Sequence, residues 1–120
     1  MGFVFQSHTW SHVWLPQCEP AELEKELIDS KKWIEDLIGS PVSQLCFPRG
    51  LFSKRIYEKA LDAGYLQLVS SIPGSIKQSV MPNVLSRILV QDYSPREFVA
   101  VLNGAMNIFQ KRYFDRQYQG

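Results

Sequence analysis

Phe3-Val4-Phe5-Gln6-Ser7-His8-Thr9-Trp10-Ser11-His12 joins a short apolar run to the only two histidines of the 120-residue chain. Phe3-Val4-Phe5 is predicted to be a buried strand that delivers Ser7 and His8 at its C-terminal end. His12 lies four residues after His8. On one helical turn that spacing sets both imidazoles on the same face. Such a pair suits zinc, whose nitrogen ligands sit about 2.0–2.1 Å from the metal. In barrel-type α/β folds, chemistry gathers at the C-terminal ends of strands. The plain alternative is that two histidines four apart arise by chance, as short motifs do.

Downstream, short apolar runs alternate with longer amphipathic stretches, the pattern of β/α units in a single domain over residues 1–120. Glu19 to Ile38 is predicted to be a helix. Pro20 suits its first turn, acids crowd its start, and Gly39 follows the last apolar residue. Leu23, Leu27, Ile34 and Leu37 would form its inner face. Val42 to Phe47 reads as a strand closed by Pro48-Arg49-Gly50. Ser53 can cap a helix running through Ala63, with Gly64 as its stop. Leu66 to Ser70 reads as a short strand followed by the turn Ile72-Pro73-Gly74-Ser75. Val84 to Val90 reads as another strand. Ser94-Pro95-Arg96-Glu97 then opens a helix, with Ser94 as N-cap and Glu97 completing a capping box. Its buried stripe would be Phe98, Val101, Leu102, Ala105 and Ile108. The tail 111–118 mixes bases with aromatics and reads as a frayed helix end or a contact for a ligand or another chain.

Composition narrows the function classes. With 45% hydrophobic residues and 21% charged, the chain is ordinary for a folded domain. A net charge of +1 builds no field of the kind nucleic-acid binding requires. The charges are unevenly placed: no carboxylate side chain precedes Glu19, and Glu19 to Asp36 holds seven acids against three bases. An acid-rich solvated helix surface explains that cluster. Cys18 and Cys46 make no disulfide framework and are expected to be reduced and buried, with one bridge as the alternative. No basic leader precedes the first apolar run, so no secretory signal is expected and a cytoplasmic location is favoured. No stretch is long and apolar enough to span a bilayer.

His8-Thr9-Trp10-Ser11-His12 resembles the His-Ser/Thr-x-x-His metal motif of the polysaccharide deacetylase (NodB-homology) family. Supporting features follow in the family's order: Gly39-Ser40-Pro41-Val42, Leu45-Cys46-Phe47-Pro48-Arg49-Gly50, Ala63-Gly64-Tyr65, Ser71-Ile72-Pro73-Gly74, Leu85-Ser86-Arg87-Ile88 and Ser94-Pro95-Arg96-Glu97-Phe98. The resemblance implies an incomplete or distorted (β/α) barrel that removes acetyl groups from a carbohydrate with a divalent metal, most naturally zinc. By it, His8 and His12 are the histidine ligands, and Thr9 helps fix the loop between them. Pro48-Arg49 falls where the family's turn donates a backbone amide to the oxyanion, so the Arg49 N–H takes that role. The Arg49 guanidinium could hold an anionic group, and a plain surface arginine is the alternative. Trp10, with Pro48 and Arg49, would line the substrate; Trp10 and Trp14 could stack on a sugar ring or simply pack.

The chain departs from the family where acids are concerned. The family carries an Asp pair on an earlier strand, one the general base and one the third metal ligand, and no acid here precedes Glu19. No histidine follows His12 to serve as the late general acid. Asp92 lies beyond a predicted strand, where capping or solvation is the simpler role. The expectation is therefore a part of a longer enzyme, a short relative that binds metal or glycan without catalysis, or a domain completed by another chain through dimerisation or strand exchange.

Overall fold

A computed structural model of the protein describes residues 2–72, 81–88 and 90–104. Three parallel strands, β1 (Gln44–Cys46), β2 (Gln67–Val69) and β3 (Val84–Leu85), form a sheet in that order. Ser7 extends the sheet beyond β1: its N–H donates to the Gln44 carbonyl at 3.1 Å, and its carbonyl accepts from the Cys46 N–H at 3.0 Å. The register sets Ser7, Leu45, Leu68 and Val84 in one row across the sheet, all four buried. The three apolar members head a core shared with Phe47, Ile56, Ala60, Leu23 and Leu27. Among the described residues the sheet is open, so the α/β class is as expected and no closed barrel is formed.

Parallel strands need crossovers, and the first is α3 (Lys54–Asp62). Ser53 caps it as expected, accepting from the Ile56 N–H at 3.4 Å. Before β1, the long helix predicted from Glu19 to Ile38 is present as α1 (Pro20–Glu24), a π-helical segment (Lys25–Asp29) and α2 (Ser30–Ile38). Gly39 ends it with a left-handed φ of 66°. The inner stripe closes with an i, i+4 step from Ile34 to Ile38. Leu23 and Leu27 are inside as expected. At the far end Ile38 packs on the core, and Leu37, expected inside, is 69% exposed.

Three other expectations are corrected. Phe3-Val4-Phe5 is not a buried strand: Phe3 is 90% and Val4 84% exposed, and pairing begins only at Ser7. An apolar run makes a strand only where a neighbouring strand is present to take its hydrogen bonds. The strand expected from Val84 to Val90 keeps two paired residues, and Val90 is exposed. In α4 (Pro95–Leu102) the capping box forms as predicted, with Ser94 Oγ accepting from the Glu97 N–H and the Ser94 N–H donating to Glu97 Oε2. Of its expected stripe, however, Val101 is buried and Phe98 and Leu102 are exposed. Ala105, Ile108, most of the turn at 72–75 and the tail lie outside the described residues.

Candidate metal centre

Two loops meet at the C-terminal edge of the sheet, one after Ser7 and one after β1. The first carries His8 and His12. Their spacing acts through a loop and not through the helical turn expected, because Thr9 (φ 70°) and His12 (φ 59°) both adopt left-handed backbone. Such conformations are unfavourable for residues with a Cβ, a β-branched threonine above all. They fold the loop back so that the two imidazoles stand 4.8 Å apart, centroid to centroid, with planes at 60°.

His8 Nδ1 lies 2.7 Å from the Cys46 carbonyl oxygen. A carbonyl only accepts, so Nδ1 carries a proton, and in the neutral ring Nε2 is the nitrogen with the lone pair. Backbone hydrogen bonding of one ring nitrogen is how metal-ligating histidines are held in tautomer and orientation. The Cys46 carbonyl is fixed in turn, because the Cys46 N–H is bound to Ser7.

A buried acid that the sequence reading assigned to solvated surface organises this loop. Glu26, in the π segment, is 2% exposed. Its Oε2 accepts the backbone N–H groups of Trp10 and Ser11, both at 2.9 Å, and its Oε1 accepts the Ser11 hydroxyl. Burial alone would raise its pKa. The hydrogen bonds from Ser11, Trp10 and Thr9 outweigh burial and hold the carboxyl below its ordinary value. The usable signal was positional: Glu26 follows Leu23 by three residues and precedes Ser30 by four, so it shares the inward stripe. Ser30 is buried beside it, donating to the Glu26 carbonyl at 2.6 Å and approaching Ser7 Oγ at 3.4 Å.

Trp10 stands edge-on to Trp33 with centroids 6.1 Å apart, and Lys25 Nζ lies 5.7 Å from its ring centre. Together with Thr9, Ser30 and Ile34, the two tryptophans line a pocket of about 200 Å³. Trp14 is also partly exposed.

The second loop is the turn Pro48–Gly50. Pro48 is buried and shapes the turn. Arg49 is exposed with φ 57°, and its backbone N–H has no acceptor among the described residues. Gly50 (φ 67°) is obligatory, because a Cβ there would lie 2.1 Å from the Ser71 backbone nitrogen. Asp92 is exposed ahead of α4.

The histidines are suited to a metal by tautomer and proximity, but they supply only two donors. Among the described residues no cluster of three His, Cys, Asp or Glu side chains forms. Glu26 cannot serve as the third, since its lone pairs are directed at the loop. Cys18 and Cys46 are both unpaired thiols; Cys18 is buried as expected, and Cys46 is only half-buried. No described helix is long and apolar enough to cross a membrane.

The chain is similar to several known proteins. YxkH of Bacillus subtilis, whose name places it provisionally among the polysaccharide deacetylases, is 26% identical over 89 residues, 74% of this chain and 32% of that protein. The chain thus spans about a third of that relative's length. Two solved structures share the fold: the Streptococcus pyogenes deacetylase PplD in complex with acetate and the Bacillus cereus polysaccharide deacetylase BC0361. The first aligns with a TM-score of 0.68 at 24% identity over 79% of this chain and 42% of that one. The second gives 0.67 at 24% identity over 80% and 30%. The family model for polysaccharide deacetylase matches residues 1–68, more than half of the sequence and the part that holds both loops of the site. On that match, this chain belongs to the polysaccharide deacetylase family.

Proposed function

We propose that the chain carries the histidine half of a divalent-metal centre, zinc by ligand chemistry, in an enzyme that removes acetyl groups from a carbohydrate. The observation that carries this reading is the 2.7 Å bond from His8 Nδ1 to the Cys46 carbonyl, which leaves Nε2 for a metal on a ring centred 4.8 Å from that of His12. Two neutral imidazoles and a carboxylate leave zinc an open position for water. When bound, the metal would make that water nucleophilic near neutral pH and polarise the acetyl carbonyl. In this reading the carboxylate and the general base come from outside the described residues, either further polypeptide or a second copy. The β/α units here would be one arc of the family's barrel.

The other roles rest with this chain's own groups. His8 and His12 hold their rings in place, and Thr9 Oγ1 accepts the His12 N–H at 3.3 Å. The outward Arg49 N–H is the donor for the oxyanion that develops as the acetyl carbon becomes tetrahedral. Its guanidinium, on the same exposed residue, would meet an anionic group of the substrate. Trp10 offers a partly exposed face for a sugar ring.

The absence of a three-donor cluster among the described residues favours a second reading, a metal- or glycan-binding module without catalysis. Metal content and acetate release from acetylated amino-sugar oligomers separate the two, measured on the chain and on His8→Ala/His12→Ala. One zinc per chain with acetate release, both lost in the variant, supports the enzyme. Zinc without acetate release supports the module. No zinc in either protein after zinc is supplied overturns the metal reading.

A further inference from the structure

We infer that Glu26 is a positioning residue for the histidine pair, acting through the backbone of the loop and not as a ligand. This rests on the proposed metal reading only for its consequence, since the contacts themselves are metal-free.

Three observations carry the inference. The carboxylate is almost wholly buried, yet among the described residues it forms no ion pair; its oxygens accept the Trp10 and Ser11 N–H groups and the Ser11 hydroxyl. A buried charge is costly unless satisfied, and here the satisfaction comes entirely from the segment between His8 and His12.

That segment is also strained at both ends, with Thr9 and His12 at positive φ. Strained backbone persists only where its surroundings over-determine it. Glu26 fixes Trp10 and Ser11 directly, and these two lie between Thr9 and His12, which are themselves joined by the bond from the His12 N–H to Thr9 Oγ1.

Finally, the mount is stiff. Ser30 Oγ donates to the Glu26 carbonyl, the Tyr65 hydroxyl donates to the neighbouring Leu27 carbonyl at 2.9 Å, and Ser7 Oγ accepts the Thr9 N–H at 3.3 Å. The π segment thus holds the carboxylate against the loop while Ser7 and Cys46 hold the loop against the sheet. Loss of Glu26 frees the loop to relax, and the His8 and His12 rings lose their fixed relation.

The test compares the chain with Glu26→Ala, Glu26→Gln and Ser11→Ala, first without metal. Amide hydrogen exchange and the side-chain nitrogen shifts of the two histidines are the readouts. In Glu26→Ala, the Trp10 and Ser11 amides should exchange about 10- to 100-fold faster, while the Cys46 and Leu68 amides in the sheet stay protected. His8 should pass from a single Nδ1–H tautomer to a mixture. Glu26→Gln keeps one acceptor oxygen for the two amides and should fall between the two. Ser11→Ala, which removes only the hydroxyl contact, should show a small loosening and carries the test if Glu26→Ala does not fold.

Unchanged exchange at Trp10 and Ser11, or equal acceleration throughout the sheet, overturns the inference. Zinc titration is the second arm: binding should weaken about 10- to 100-fold in Glu26→Ala and recover in part in Glu26→Gln. If the unaltered chain binds no zinc, the metal reading fails while the metal-free readouts still decide the role of Glu26.

Discussion

Gly39 and Gly50 have almost the same backbone conformation, φ 66° and φ 67°, and opposite surroundings. A Cβ at Gly39 would meet nothing within 4 Å, whereas one at Gly50 would meet the Ser71 nitrogen at 2.1 Å and the Ser71 Cβ and Oγ at 2.3 Å. Alanine in left-handed backbone costs about 1–2 kcal/mol at either site, less the roughly 0.4–1 kcal/mol gained by restricting the unfolded chain. At Gly50 the clash adds an overpacking cost of about 1–3 kcal/mol, because a backbone nitrogen cannot swing aside as a side-chain tip can. Gly39→Ala should therefore cost around 1 kcal/mol and Gly50→Ala about 1–3 kcal/mol more, a large share of a small domain's roughly 5–15 kcal/mol. Urea unfolding followed by tryptophan fluorescence measures both, provided the two variants share the parent's m-value. Coincident midpoints, or a greater loss at Gly39, would refute the reasoning. The displaced Ser71 also holds Arg87, whose Nη2 donates to Ser71 Oγ at 3.0 Å, so Gly50→Ala should disturb the end of β3 as well as the Arg49 turn.

Further outcomes follow from the same structure. Because the folded-state pKa of Glu26 lies below its ordinary value, its stabilising contribution is full above that ordinary carboxylate value, about pH 4.3, and is lost as pH falls through the lowered one; Trp10 and Ser11 amide protection, corrected for intrinsic exchange, should fall in that acid range and stay level above pH 6. Tyr65→Phe removes the donor to the Leu27 carbonyl and should lower stability by about 1 kcal/mol by urea unfolding. Burial raises the pKa of the Cys18 thiol, reinforced by Glu22 and Glu26, and burial likewise raises Cys46 against the pull of Arg87. Both thiols should therefore alkylate with iodoacetamide at least about tenfold more slowly at pH 8 than in the urea-unfolded chain, read by mass spectrometry.

Local chemistry wrote much of this fold into the sequence. The Ser53 and Ser94 caps and the Gly39 stop follow from interactions within a few residues, where the local sequence selects the conformation, and the apolar runs around 44–46 and 67–69 marked the strands that pair with each other. The histidine spacing likewise marked the candidate site, although the geometry that joins His8 to His12 is a strained loop and not a helical turn. Long-range pairing decided the rest. Phe3-Val4-Phe5 carries a strand's pattern, but a strand exists only where a neighbour accepts its hydrogen bonds, and that begins at Ser7. Leu37 yields the inner position to Ile38, since i+3 and i+4 from Ile34 both fit a helix and only packing on the core chooses between them. Glu26 reads as one more acid on an acidic helix until the loop folds back on it. A carboxylate's role depends on which donors reach it, and those donors lie 15 and 16 residues away in the sequence.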